Sequence, residues 1–220
     1  MKAAVKKTTK KICFLPVLFL LSSCLGVNAD ITLNQNGSGT IALEYQISQS
    51  LDTLGRLDGN ERWNTIPVGR ADFERTLDRL PGMRLLSFSS GDSGRNLVNR
   101  ARMEFANINA LLAFMDAGGR RSSFSGDINS GALVLTLNEG VTVENQALYV
   151  LLRDVSESYS VRISMSLPKE GRLSITDRHG NPLAAIPGGE IGSTGRRLFF
   201  SFPLHEVLTA REGLNAEFLW

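Results

Sequence analysis

Cysteine and histidine are scarce in this chain, and their scarcity excludes several kinds of site. The sequence contains two cysteines, Cys13 and Cys24, and two histidines, His179 and His205. The histidines lie far apart and no Asp-x-Asp-x-Asp loop occurs, so the spacing assembles neither a zinc site nor a carboxylate calcium site. We therefore expect no metal ion and no other cofactor.

Lysine is nearly absent after residue 23. Five lysines precede that point, and Lys169 is the only one that follows. If residues 1–23 are removed, the Lys+Arg count falls from 24 to 19 against 22 acids, and the formal net charge changes from +2 to −3. The remaining cations are arginines scattered along the chain. Because no polybasic run remains, we expect neither nucleic acid nor an anionic membrane surface to be bound through one.

No apolar run reaches membrane-spanning length. Residues 12–21 form a short apolar stretch behind a basic N-terminus, the order that is typical of a secretory signal. The stretch ends in Leu21-Ser22-Ser23-Cys24, which resembles the lipobox of bacterial lipoproteins, a branched apolar residue and two small residues before the acylated cysteine. We predict cleavage between Ser23 and Cys24 and acyl chains on Cys24 as the membrane anchor. The alternative is an ordinary cleaved signal with a cysteine at that position by chance.

The predicted signal and anchor divide the chain into three parts. Residues 1–23 are the signal peptide, residues 24–29 are the acylated cysteine with a short tether, and residues 30–220 form one domain. A subdivision of that domain near residues 138–142 is an alternative. Because Cys13 leaves with the signal and Cys24 carries lipid, no thiol remains for a disulfide or a nucleophile, and the fold depends on its hydrophobic core.

Hydrophobic periodicity predicts an α+β fold. Alternating residues predict strands, and residues with helical spacing predict three helices. The order β-β-α-β-β-α at the start predicts an antiparallel or mixed sheet with about three helices packed on one face. The last sixty residues are rich in strands. The predicted strands are residues 31–33, 41–47, 83–89, 97–105, 132–137, 160–167, 172–176, 198–202 and 214–220, and the predicted helices are residues 70–80, 108–115 and 142–157.

Two short motifs suggest chemistry and have simpler interpretations. Gly91-Asp92-Ser93-Gly94 is similar to the nucleophile segment of chymotrypsin-like proteases, but both histidines follow it, and the motif lies between two alternating runs. We interpret it as a hairpin turn and keep a serine hydrolase using Ser93 as a remote alternative. The glycine-rich residues 187–195 lack the lysine of a phosphate-binding loop and are predicted to be a mobile loop. We therefore predict no catalytic residues.

Aromatic residues give the remaining functional hint. Leu198-Phe199-Phe200-Ser201-Phe202 is apolar on both faces of a predicted strand. The simpler interpretation is that these side chains fill the core. The alternative is that Phe199, Phe200 and Phe202 line an apolar pocket between sheet and helices, which would suit an acyl chain.

Several segments together resemble the LppM-like family of bacterial lipoproteins. They are the lipobox cysteine, the N-G-S-G turn with T-I-A-L-E-Y, the segment I-N-A-L-L-A-F, and the closing S-L-P, R-H-G-N and R-R-L-F-F-S-F-P-L. The resemblance spans most of residues 30–220 and rests on strand and turn patterns. It implies a compact α/β domain at the cell envelope and, in part, binding of lipids or glycolipids. The family often carries a transmembrane segment near the C-terminus, and this sequence, which closes on Glu217-Phe218-Leu219-Trp220, departs from that pattern.

These observations predict a non-enzymatic envelope lipoprotein that binds a hydrophobic or lipid ligand. An interaction module that binds a protein partner through a sheet edge or an arginine-bearing face is the alternative. Leu25 follows Cys24 where an aspartate would retain a lipoprotein in the inner membrane of enteric bacteria. The outer membrane is therefore favoured if the source has two membranes.

Overall fold

A computed structural model describes residues 26–48, 69–94, 96–116, 119–140 and 146–220. The signal peptide, Ser23 and Cys24 lie outside the described residues. The elements are β1 Gly26–Leu33, β2 Gly39–Ser48, α1 Arg70–Leu77, β3 Met83–Ser93, β4 Asn96–Phe105, α2 Ile108–Met115, β5 Ser122–Gly126, β6 Gly131–Asn138, α3 Gln146–Ser156, β7 Ser160–Ser166, β8 Arg172–Thr176, β9 Glu190–Thr194, β10 Arg197–Pro203, α4 Leu204–Thr209 and β11 Leu214–Leu219.

The strands form two sheets, and β1 is the central strand of the larger one. The seven-stranded sheet has the order β3-β4-β2-β1-β7-β10-β9, and the four-stranded sheet has the order β5-β6-β11-β8. β1 and β7 are parallel, and the other paired strands are antiparallel. The predicted α+β class with a mixed sheet is confirmed.

One face of the large sheet is apolar, and its residues align across the strands. In the register, Ile31 is opposite Ile41 on one side and Met165 on the other, and Met165 is opposite Leu198. All four side chains are at most 2% exposed. Because strand side chains alternate between faces, the intervening residues point to the opposite face, and that face is polar.

The small sheet shares this core. Leu133, Ile175 and Phe218 from its strands belong to the same buried cluster as the apolar face of the large sheet. The ring centroids of Phe218 and Phe200 lie 6.3 Å apart, which joins the two sheets. The sequence predicted a single sheet, and this part was wrong. β11 pairs with β6 and β8, which local patterns do not reveal.

Helices complete the same core. α1 contributes Phe73 and Leu77, α2 contributes Ala110 and Leu111, and α4 contributes Val207. Asn107 is the N-cap of α2, with a side chain that accepts a hydrogen bond from the Ala110 N–H at 2.9 Å. The strand pairings β1–β7 and β6–β11 connect residues on both sides of the alternative boundary at 138–142.

Three predicted boundaries are corrected. β1 begins at Gly26, so residues 26–29 of the predicted tether are strand, because Val27 and Ala29 continue the apolar alternation. β3 continues to Ser93, which pairs with Asn96, so most of the predicted turn at residues 91–94 is also strand. Residues 190–194 of the predicted mobile loop form β9 at the edge of the large sheet.

Candidate functional site

The outer face of the large sheet, the face opposite the core, is exposed and carries paired charges. Three arginines on it form ion pairs at 2.6 Å, Arg84 with Glu104, Arg100 with Glu44, and Arg197 with Asp30. The first and second pairs join neighbouring strands. Exposed pairs such as these contribute little stability individually, so their main effect is on the charge pattern of the face.

Arg102 and Arg162 also lie on the outer face. Both are exposed, and neither has an acidic partner among the described residues. Their guanidinium groups therefore remain open to an external acceptor. Arginine offers several N–H donors in a planar arrangement that suits phosphate and carboxylate groups.

A cleft of about 230 Å³ opens on this face at the beginning of β1. β1, β2 and β7 and the turn before β7 line it, and the parallel pairing of β1 with β7 brings these segments together across the chain. Hydroxyl, amide and charged groups predominate in the lining, which consists of Gly26, Val27, Asn28, Glu44, Gln46, Ser158, Tyr159, Ser160 and Arg162. The cleft can accept a polar ligand, and it lacks the apolar lining that an acyl chain needs.

Hydrogen bonds hold one wall of the cleft. The Asn96 side-chain N–H₂ donates to Gln46 Oε1 at 3.2 Å and, at a longer 3.4 Å, to the Tyr159 hydroxyl oxygen. Arg100 Nε donates to Glu44 Oε2. Because Arg100 compensates the Glu44 carboxylate, Arg162 is the uncompensated charge in the lining.

Arg162 is positioned by an aromatic ring. Its guanidinium carbon lies 5.5 Å from the centroid of the Phe199 ring, within the range of a cation–π interaction. The Phe199 ring in turn covers Gly192 on the edge strand, where a Cβ would lie 2.5 Å from the ring. Glycine at this position is therefore needed for the ring to lie flat and support Arg162.

The structure separates the three phenylalanines that the sequence grouped as pocket-lining residues. Phe200 and Phe202 are 0% exposed in the core, with ring centroids 4.8 Å apart. Phe199 points to the outer face. None of the three belongs to the lining of the cleft.

The remaining sequence motifs do not converge on a site. Within the described part of the chain, no hydrogen bond joins Ser93 to a histidine: His179 contacts Arg178, and His205 lies 3.3 Å from Glu206. Residues 26–48, 69–94, 96–116, 119–140 and 146–220 contain no cluster of three or more acidic, histidine or cysteine side chains that could hold a metal ion.

Asp177 is a buried carboxylate with a structural role, distant in sequence from the cleft residues. Its Oδ2 accepts from the Asn181 side chain at 2.8 Å, and its Oδ1 accepts from the backbone N–H groups of His179 and Asn181. The bonds from the Asn181 side chain and backbone, followed by that from His179, hold the pKa of Asp177 below its ordinary value against the opposing effect of desolvation. The carboxylate thereby stabilises the turn after β8.

No helix in the described segments has the length and apolar character needed to cross a bilayer.

Comparisons with known proteins identify no family for the chain. No family model matches, and no curated protein matches. A similar solved structure is the NMR structure of the folded domain of LppM from Mycobacterium tuberculosis, with a TM-score of 0.46 and 12% sequence identity over 90% of each chain. The expected LppM-like resemblance is thus matched in part by an LppM domain, at a score and identity too low to transfer any property.

Sequence reasoning did not find the cleft. Its side chains are ordinary polar residues at outward positions of alternating strands. A weak signal exists in residues 160–166. The inward side of this strand is apolar, and on its outward side Arg162 lies among serines. Nothing in the sequence indicates that this position lies beside Asn28 and Gln46.

Proposed function

We propose that the protein is an acylated, non-enzymatic envelope lipoprotein whose domain binds the polar headgroup of a lipid. The observation that carries this proposal is the polar cleft at the start of β1, which begins two residues after Cys24 in the sequence. Two residues of extended chain span at most about 7 Å. Acyl chains on Cys24 would therefore hold the cleft close to the headgroups of the same membrane.

The lining of the cleft favours a headgroup over an acyl chain. Asn28, Ser158 and Ser160 offer amide and hydroxyl groups, and Arg162 offers an uncompensated charge. A bound lipid could leave its acyl chains in the bilayer, so the protein needs no internal apolar cavity. The burial of Phe200 and Phe202 is compatible with this mode of binding.

Native mass spectrometry with lipid extraction tests the proposal. The mature chain from residue 24, with Cys24→Ser to remove the acylation site, is incubated with an extract of envelope lipids. We expect a lipid adduct that Arg162→Ala weakens about tenfold or more, since a hydrogen bond to a charged group contributes ~1.5–3 kcal/mol. Arg102→Ala is the matched control, because Arg102 is exposed on the same face but does not line the cleft.

Two results would contradict headgroup binding. One is a mass without adduct after incubation, and the other is an equal loss of adduct in Arg162→Ala and Arg102→Ala.

The outer face also favours a second candidate, an interaction module for an acidic protein surface. Arg102 and Arg162 lack acidic partners among the described residues, and an acidic partner could provide them. Crosslinking from the intact acylated protein would test this candidate. A partner that is lost in both Arg102→Ala and Arg162→Ala would favour it.

A further inference from the structure

The position of β1 constrains how the domain can sit on a membrane. β1 is flanked by three strands on each side, β2, β4 and β3 on one and β7, β10 and β9 on the other. Its first residue, Gly26, is two residues after Cys24. A tether of at most about 7 Å leaves the domain little room to turn over.

The register identifies the residues that share this end of the sheet. Ser48 pairs with Asn96, and Asn96 pairs with Ser93. On the other side of β1, Ser160 pairs with Pro203. We call this set, together with Gly26, Ser158 and Tyr159, the anchor end.

The chemistry of the anchor end suits contact with headgroups. Its strand-terminal side chains are uncharged serines, an asparagine and a proline, so approaching a bilayer does not strip water from a charge. Charge appears two residues farther along the sheet, where Ser201 of β10 pairs with Arg162 on one side and with Glu190 of the outermost strand on the other. Tyr159 is half-buried beside Gly26, and tyrosine is enriched at membrane interfaces.

We infer that the anchor end faces the bilayer, with Tyr159 at the level of the headgroups and the cleft beside them. The inference rests on the proposed acylation of Cys24. The opposite end of β1, at Leu33 and the turn of residues 34–38, then lies about 25 Å farther from the membrane, from eight residues at ~3.3 Å each.

Site-directed spin labelling measures this orientation. The mature chain has no cysteine besides Cys24, which acylation would block, so an introduced cysteine is a unique thiol. Ser158→Cys reports on the anchor end and Gln35→Cys on the opposite end, and both positions are exposed. The acylated variants are labelled with a nitroxide and reconstituted into vesicles of phosphatidylcholine and phosphatidylglycerol.

The measured quantity is the ratio of accessibility to oxygen over accessibility to a water-soluble nickel chelate. We expect this ratio to be severalfold higher for the label at residue 158 than for the label at residue 35. The mass of the protein shows whether the acyl chains are present. If they are, equal ratios or the reverse order would overturn the proposed orientation but not the proposed acylation. A mass without acyl chains would overturn the anchor and the orientation together. Tyr159→Ala is expected to reduce the difference between the two labels. The control is Tyr149→Ala, which changes a half-buried tyrosine on α3 away from the anchor end and should preserve the difference.

Discussion

Single residues in this molecule have roles that their sequence context conceals. Asp177 and Arg162 are both charged residues in strand-rich segments, yet the carboxylate of Asp177 closes a turn and the guanidinium of Arg162 faces an open cleft. The difference arises from neighbours. Asn181 and His179 supply donors to Asp177, whereas no described acid forms an ion pair with Arg162.

Asp177→Asn should destabilise the protein at neutral pH and have less effect in acid. The folded-state pKa of Asp177 lies below its unfolded value, so its stabilisation is complete above the unfolded pKa of about 3.9 and is lost as the pH falls through the lowered native pKa. Urea unfolding at pH 7 and pH 3 measures this effect. We expect the difference in midpoint between wild type and variant to shrink at pH 3.

The control for this prediction is Asp154→Asn, which changes an exposed carboxylate on α3. It should leave the midpoint nearly unchanged at both pH values. A deficit of Asp177→Asn that is the same at pH 3 and pH 7 would show that the ionised carboxylate is not the stabilising species.

At the scale of elements, β10 shows how alternation assigns neighbouring residues to different tasks. Phe200 is 0% exposed and contacts Phe202 and Phe218, whereas Phe199 supports Arg162 on the outer face. Phe200→Ala should lower the free energy of unfolding by ~3–5 kcal/mol, because it leaves a cavity between the two sheets.

Phe199→Ala is the matched variant on the same strand. It should cost only ~0.5–1 kcal/mol through the lost cation–π interaction. Chemical denaturation of both variants measures the difference. Equal costs would contradict the assignment of the two rings to opposite faces.

The sequence predicted the elements whose patterns are strong and missed those whose patterns are weak. The first hairpin, α1, α2 and the terminal strands alternate or repeat clearly, and all are present. β5 and β9 were missed because Ser122–Gly126 and Glu190–Thr194 are short edge strands with mostly small and polar residues. Such segments become strands by pairing with a neighbouring strand, and their own sequence pattern is weak. The division into two sheets was missed because strand partners are distant in sequence.

At the scale of the whole molecule, the two sheets should unfold together. Their buried residues form one cluster, and each sheet contains strands from both sides of residues 138–142. Phe218→Ala in the small sheet should therefore reduce amide-exchange protection at Ile31 in the large sheet as much as at Ala216 beside it.

Val134→Ala is the control for this experiment, since Val134 lies on the outward side of the small sheet. It should have a smaller effect at both amides. A loss of protection in Phe218→Ala that is confined to the small sheet would indicate two independently stable units.

The candidate cleft forms only in the assembled molecule, and for this reason the sequence did not predict it. Its walls come from residues 26–28, 44–46 and 158–162, which are joined only when β1 pairs with β7. The sequence specifies the polar residues, but their convergence is a property of the assembled sheet.

The central place of β1 has a mechanical consequence if Cys24 is acylated. A force that drags the domain along or away from the membrane would enter the fold at Gly26 and run along the strand axis. It would load the hydrogen bonds to β2 and β7 in shear, many at once, whereas an anchor on an edge strand would peel its bonds one after another. A tether at β1 would therefore transmit the force to a strand that resists pulling better than an edge strand would.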